Sequence, residues 1–203
     1  MLITGRPAHE IVALLGIQPV PEVWGLHGAE RLFPDGTREV DEPSATIRAM
    51  LEDLRAQLRR DTFGGLLEEK SNAVVMHWRG VAPRRAKAIE AKARALFKPV
   101  AQMDGLELLV FEAGIELRTG RDKGGAVKML LDGLDDQVAH PMAYLGDDVT
   151  DEKAFEAINS HGLGVLVRRQ WRETAAQIWL RPPEELREFL RRWLSACRAP
   201  GQD

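Results

Sequence analysis

The segment at residues 146–151, GDDVTD, constrains this chain more than any other. It places three carboxylates within five residues, directly after the apolar run 142–145, which is typical of a buried strand. Open α/β sheets bind ligands beyond the carboxyl ends of their strands. Crowded anions repel one another, and Mg²⁺ relieves that repulsion because it prefers a few carboxylates plus phosphate oxygens. The segment therefore predicts a metal- or phosphate-handling loop; the alternative is a solvated acidic turn that begins a helix.

Two weaker signals accompany the acidic segment. Lys123 begins a predicted helix over 123–131, where a cation neutralises an anion bound at the positive end of the helix. Thr4 follows the short apolar strand 1–3, and a hydroxyl with backbone N–H groups after a strand can hold a phosphate oxygen. A surface lysine and an ordinary turn are the alternatives. Strands and helices alternate along the chain, which predicts an α/β fold.

Composition excludes several classes of protein. The 203 residues are 44% hydrophobic, and 28 Lys and Arg stand against 31 Asp and Glu, for a net charge of −3. This leaves no general basic field for nucleic acid and no polycationic arm for a membrane. The single cysteine, Cys197, excludes an internal disulfide, and no apolar run approaches the roughly 20 residues of a membrane span. We expect a cytoplasmic protein with neither nucleic-acid nor membrane partners.

Taken in chain order, the Thr4 turn, the Lys123 helix start and the acidic segment resemble the haloacid dehalogenase superfamily of phosphohydrolases. Further motifs narrow the resemblance to the trehalose-6-phosphate phosphatase family, and it extends from residue 3 to residue 193. These motifs are GLHGAE at 25–30, EK at 69–70 with HWR at 77–79, ELR at 116–118, and YLGDDVTDE at 144–152.

The resemblance implies an α/β fold of two domains. A Rossmann-like core with a parallel sheet would comprise residues 1–34 and 119–203, and an inserted α/β cap domain would comprise residues 35–118. The implied activity is the Mg²⁺-dependent hydrolysis of trehalose 6-phosphate to trehalose and phosphate, in trehalose biosynthesis. The implied partners are this small-molecule substrate and the trehalose-6-phosphate synthase.

The resemblance also assigns catalytic roles by position. Thr4 would donate a hydrogen bond to the transferring phosphoryl group, and Lys123 would stabilise the negative charge on that group. Asp147 would ligate Mg²⁺ directly, and Asp148 would hold a metal-bound water. Asp151 would pair with Lys123 or support the metal ligands from behind.

Substrate binding is implied for a second set of residues. Those in the cap would bind sugar hydroxyls, although a Lys or Arg on a sheet surface is more often a solvated side chain. Glu30 would hold a sugar hydroxyl or a hinge between the domains. The set comprises Arg6, Glu30, Lys70, His77, Glu116 and Arg118.

One departure from the family pattern stands out. The family carries its nucleophile and general acid in the pattern Asp-x-Asp-Gly-Thr, on a first strand that precedes the Thr4 motif. The only Asp-Gly-Thr here, at 35–37, has no aspartate two residues earlier and reads as a turn. We therefore expect the core to lack its first strand, with a groove between the strands at 1–3 and 142–145. Without nucleophile and general acid, most of the rate acceleration should be lost.

Two alternative functions stay open at this point. The first is a non-catalytic sugar-phosphate-binding or regulatory protein that keeps the metal and cap residues without turnover. The second is a phosphatase for a different sugar phosphate, against which the cap motifs weigh.

Overall fold

The computed structural model describes residues 1–60, 66–111, 113–135 and 141–198. The helices in these ranges are α1 Ala8–Leu15, α2 Ala45–Arg60, α3 Pro83–Val100, α4 Lys123–Asp132, α5 Glu152–Ile158 and α6 Glu184–Arg198. The strands are β1 Leu2–Ile3, β2 Val23–Gly25, β3 Glu30–Leu32, β4 Arg38–Val40, β5 Leu67–Lys70, β6 Ala73–His77, β7 Leu106–Phe111, β8 Gly114–Thr119, β9 Ala143–Gly146, β10 Leu163–Val167 and β11 Ile178–Leu180.

The described strands form three sheets. One has the order β1-β2-β3-β4, with β1 and β2 parallel and the other pairs antiparallel. A second has the order β11-β10-β9 and is entirely parallel. The third, β5-β6-β8-β7, is antiparallel throughout. Parallel pairs joined by helices and an antiparallel sheet between them confirm the predicted α/β class.

The described residues between 45 and 119 comprise α2, α3 and the antiparallel sheet, and they are here called the antiparallel unit. Helices α2 and α3 cover one face of its sheet and exclude water from a continuous apolar core. Because side chains alternate along a strand, the residues between these core positions point to the opposite face of the sheet. The buried core consists of Leu51, Leu54, Leu58, Val74, Met76, Ile89, Ala93, Phe97, Ile115 and Leu117.

The predicted boundary between core and cap falls inside a β-hairpin. Strand β4 pairs with β3, opposite Glu30 to Leu32, and not with the antiparallel sheet. The polypeptide between residues 35 and 40 is therefore built into the sheet that contains β1.

No described helix is both long and apolar enough to cross a membrane.

A groove separates β1 from β9. Among the described residues, β1 pairs only with β2, and β9 pairs only with β10. Apolar side chains from both strands and from α4, α5 and α6 line a cavity of about 270 Å³ there, among them Ile3, Val127, Tyr144, Ile158 and Trp193. The described part of the chain thus leaves one backbone edge unpaired on each side of an apolar groove.

Candidate active site

Asp151 organises the acidic loop after β9. This residue is only 2% exposed. One carboxylate oxygen, Oδ2, accepts the backbone N–H groups of Asp147 and Asp148, each at 2.9 Å. The other, Oδ1, accepts the Tyr144 hydroxyl at 2.8 Å and Lys123 Nζ at 2.7 Å. Four donors on one buried carboxylate fix the course of the loop.

The charge state of this cluster follows from its surroundings. Burial alone would raise the pKa of Asp151, but the ammonium of Lys123 and the neighbouring N–H and O–H donors hold it below the ordinary value. Burial and the charge of Asp151 raise the pKa of Tyr144, which therefore remains a hydrogen-bond donor. Gly146 permits the close approach, because a Cβ there would lie 2.5 Å from Asp151 Cγ.

Asp147 and Asp148 are the exposed carboxylates of this loop. Asp148 begins the short 3₁₀ turn Val149–Asp151, and its Oδ1 accepts the Val149 N–H at 2.6 Å. Asp147 faces the adjoining cleft without a side-chain hydrogen bond to any described residue. The loop therefore presents two carboxylates to solvent while Asp151 is fully used inside.

Thr4 lies in the turn that follows β1. Its hydroxyl oxygen accepts the Arg6 N–H at 3.2 Å, and its carbonyl accepts the His27 N–H at 2.8 Å. His27 has a positive φ of 61°, which is uncommon outside glycine and is often found at functional sites. A Cβ on Gly5 would lie 2.6 Å from His27 Nε2, so glycine makes room for the imidazole against this turn.

The face of the antiparallel sheet opposite α2 and α3, here called the charged face, carries buried charges. Glu116 is 4% exposed, and Lys70 Nζ lies 3.2 Å from its Oε1. His27 Nε2 lies 3.7 Å from Glu116 Oε2, which brings this face next to the Thr4 turn. Burial alone would raise the pKa of Glu116, but His27 and Lys70 lower it to about 2. Burial lowers the pKa of His27, so this imidazole is neutral at neutral pH.

Arg118 continues the same face and connects to the parallel sheet. Its guanidinium donates to Glu107 Oε2 at 2.6 and 3.1 Å. Lys153 of α5 then bridges Glu107 at 2.6 Å and Asp122 at 2.8 Å. Arg118 Nη1 and His27 Nδ1 are buried without a hydrogen-bond partner among the described residues. Since buried polar atoms are nearly always bonded, Arg118 Nη1 is suited to donate to a ligand oxygen. With Nε2–H directed at Glu116, His27 Nδ1 is suited to accept a hydrogen bond from a ligand hydroxyl.

The structure does not bring the remaining three predicted residues into these clusters. Arg6 is largely exposed and pairs with Glu10 at 3.4 Å. Glu30 is 1% exposed and is occupied by the Ala8 N–H at 2.8 Å and Arg38 Nε at 2.5 Å. His77 Nε2 contacts Glu68 at 2.5 Å near the end of β6.

A cleft of about 500 Å³ lies between the acidic loop and the antiparallel unit. Asp147 and Asp148 line one side, and Arg79 and Phe111 line the other. Arg168, Arg169 and Gln170, which follow β10, complete it.

Sequence reasoning missed the arginines of this cleft. Arg79 stands in the HWR motif but was not assigned a role. The strand register is what places Arg168 and Arg169 near the acidic loop. Leu166 pairs with Gly146, so the residues after β10 and β9 emerge at the same sheet edge. That register requires knowing which strands are neighbours.

The acidic loop offers part of a magnesium site. No group of three or more His, Cys, Asp or Glu side chains converges within the described ranges. Asp147 and Asp148 nevertheless supply two adjacent exposed carboxylates, and Mg²⁺ commonly binds through one or two carboxylates together with waters and phosphate oxygens. The residues present fit this cation if further ligands come from a substrate or another segment.

Comparison with solved structures gives the fold class of this chain. A solved haloacid dehalogenase-like hydrolase from B. subtilis matches with a TM-score of 0.53 at 17% identity, covering 89% of this chain and 82% of that one. The fold is therefore that of the haloacid dehalogenase-like hydrolases. The family model for trehalose-phosphatase matches residues 1–180, so the chain belongs to the trehalose-phosphatase family.

Individual relatives agree with this assignment. The trehalose-phosphate phosphatase of Mycobacterium marinum is 36% identical over 213 residues, which cover 98% of this chain and 53% of the relative. The C-terminal domain of the C. albicans trehalose-6-phosphate phosphatase matches with a TM-score of 0.74 at 23% identity, covering 93% of this chain and 75% of that one. The chain spans about half the length of the curated relatives it matches.

Proposed function

We propose that the protein is a magnesium-dependent phosphatase that hydrolyses trehalose 6-phosphate to trehalose and phosphate. One observation carries this proposal: ion pairs run from Arg118 on the charged face through Glu107 and Lys153 to Asp122. Asp122 directly precedes Lys123, which pairs with Asp151 of the acidic loop. A phosphoryl group at the acidic loop would then place its sugar against a surface of polar side chains, which can bond hydroxyls.

The proposed roles at the phosphoryl end follow from the contacts. Asp147 would bind Mg²⁺ directly and Asp148 through a water, and the bound cation would neutralise phosphoryl charge. Lys123 is held by Asp151, which fixes its ammonium beside the acidic loop. There it would stabilise charge on the phosphoryl oxygens. Thr4 would donate its hydroxyl to the phosphoryl group, since its oxygen already accepts a backbone N–H.

The proposed roles at the sugar end differ in strength of support. Lys70, Glu116 and Arg118 lie together on the charged face and would bind sugar hydroxyls. His77 lies at the edge of that face and would do so only at its rim.

We also propose a cap and core arrangement in which the first boundary follows β4, because β4 pairs with β3.

The groove between β1 and β9 suggests where a nucleophile would enter. We propose that a further parallel strand, carrying an Asp-x-Asp-Gly-Thr motif, completes the sheet in this groove. Its aspartates would emerge at the same sheet edge as Thr4 and Asp147, as nucleophile and general acid. Residues 1–203 by themselves contain no such motif, so this polypeptide alone should bind substrate with little or no turnover.

The test compares phosphate release from trehalose 6-phosphate by two polypeptides. One is residues 1–203, and the other carries an N-terminal extension with the strand and its motif. We expect release only from the extended chain, and its loss in the extended Asp147→Asn variant. Turnover by residues 1–203 alone would contradict the role of the groove. Equal rates of phosphate release from other sugar phosphates would contradict the assignment of trehalose 6-phosphate as the substrate. A folded extended chain that binds the substrate without turnover would favour the regulatory alternative.

A further inference from the structure

Three arginines in the cleft have no acidic partner within the part of the chain that the structure describes. Arg79, Arg168 and Arg169 line it, and no carboxylate of the described residues lies within ion-pair distance of any of them. The nearby Arg172 behaves differently, since it pairs with Glu152. Guanidinium groups left unpaired in a concave site are available to a ligand of opposite charge.

The charges of the cleft lining sum to a positive value. Asp147 and Asp148 contribute two negative charges, against three positive charges from the arginines, although the whole chain carries a net charge of −3. A cation bound at Asp147 would make the lining more positive still. The cleft is therefore a local anion-binding environment in an acidic protein.

The fold places Arg168 and Arg169 at the acidic loop. Strand β10 pairs in parallel with β9 as far as Leu166 opposite Gly146, so the residues that follow the two strands emerge at the same sheet edge. Arg168 Nη1 lies 3.5 Å from the Asp147 carbonyl oxygen, and Arg172 Nη2 donates to the Asp148 carbonyl at 2.7 Å. These contacts tie the segment after β10 to the loop that carries the exposed carboxylates.

We propose that Arg168 and Arg169 are specificity-determining residues that bind the phosphoryl group of the substrate from the β10 side. Their planar forks match phosphate oxygens in a bidentate manner. Arg79 faces them across the cleft, so a bound phosphoryl group would connect the acidic loop to the antiparallel unit. Neutral sugars would lack this connection. The identity of the phosphorylated sugar rests on the proposed function, but the anion site does not.

The test uses inorganic phosphate as the probe, titrated calorimetrically into residues 1–203 in the presence of EDTA. We expect measurable binding without metal, and an affinity lower by about tenfold for each arginine replaced in Arg168→Gln and Arg169→Gln. The matched control is Arg187→Gln with Arg198→Gln on exposed α6, which changes the net charge equally. The variants Arg168→Lys and Arg169→Lys keep the charge but lose the planar guanidinium. Their affinities for phosphate should lie between those of the parent chain and of the glutamine variants.

Several outcomes would overturn the proposal. These are absence of phosphate binding by the parent chain, unchanged affinity in the double glutamine variant, and an equal loss in the α6 control. Matching thermal unfolding of all variants shows that a loss of affinity is local. A parallel titration with trehalose 6-phosphate and with trehalose separates this proposal from the proposed function. If phosphate binds through Arg168 and Arg169 but the sugar phosphate binds no tighter, the anion site stands and the substrate assignment fails.

Discussion

Replacing Asp151 by Asn should destabilise the protein more than replacing its partner Lys123 by Met. The two side chains are 3% and 10% exposed, and their charged atoms lie 2.7 Å apart. Asp151→Asn leaves a buried ammonium without its counter-charge, a change that typically costs about 3–5 kcal/mol. It also leaves one amide oxygen where two oxygens now accept four donors.

Lys123→Met removes only one of those four donors. Asp151 keeps the hydroxyl of Tyr144 and the N–H groups of Asp147 and Asp148. We expect a loss of about 1–3 kcal/mol, the usual cost of an incompletely satisfied buried polar group. Because a whole domain is stable by about 5–15 kcal/mol, both changes should be measurable.

The assay is urea unfolding followed by tryptophan fluorescence, with the exposed Asp53 of α2, replaced in Asp53→Asn, as the control. Amide hydrogen exchange supplies a local readout, since the N–H groups of Asp147 and Asp148 should lose protection in Asp151→Asn only. The double variant should cost less than the sum of the single ones, because the two residues interact directly. An Asp151→Asn stability within error of the control, or a Lys123→Met loss as large as that of Asp151→Asn, would refute this reasoning.

Three further predictions concern acid stability and packing. The pKa of Glu116 falls from 4.5 to about 2 on folding, so up to about 3 kcal/mol of stability is present above pH 4.5 and is lost as the pH falls towards 2. The stability of Glu116→Gln, measured by urea unfolding, should depend less on pH in this range, and an unchanged slope would contradict the assignment. Burial lowers the pKa of His27 below its ordinary value of 6.5, so the unfolded chain binds a proton at a higher pH than the folded chain does. The free energy of unfolding should therefore fall as the pH drops below 6.5, and urea unfolding of His27→Gln should lack this decrease. Phe97→Ala should cost about 3–5 kcal/mol by thermal unfolding, whereas Phe189→Ala on half-exposed α6 should cost much less.

The parts of this fold that the sequence predicted are those with strong local patterns. An apolar run followed by carboxylates located β9 and its loop, and the predicted helix from residue 123 is α4. Strands β3, β4 and β5 are rich in charged residues and acquire their strand conformation from backbone pairing with the next or preceding strand of a hairpin. A local hydrophobic pattern cannot reveal such pairing.

The same distinction applies to the site. The acidic segment is contiguous, so its three carboxylates were found together, although the division between buried Asp151 and exposed Asp147 depends on the fold. Glu30 could not be assigned from its motif, because its buried position depends on the start of α1 and on Arg38. The cleft arginines 168 and 169 depend on strand register.

The Lys153 bridge between Glu107 and Asp122 is one of the contacts that hold the antiparallel unit against α4 and α5. Its three side chains are 53%, 36% and 23% exposed, and partly exposed ion pairs of this kind contribute about 0–1 kcal/mol each. Salt weakens them further. Added salt should therefore enlarge the fraction of molecules that are open to ligand while it weakens the hold of the cleft on an anion. Screening would also slow the electrostatically steered arrival of an anion, whereas the opening and the weaker hold would both shorten its retention.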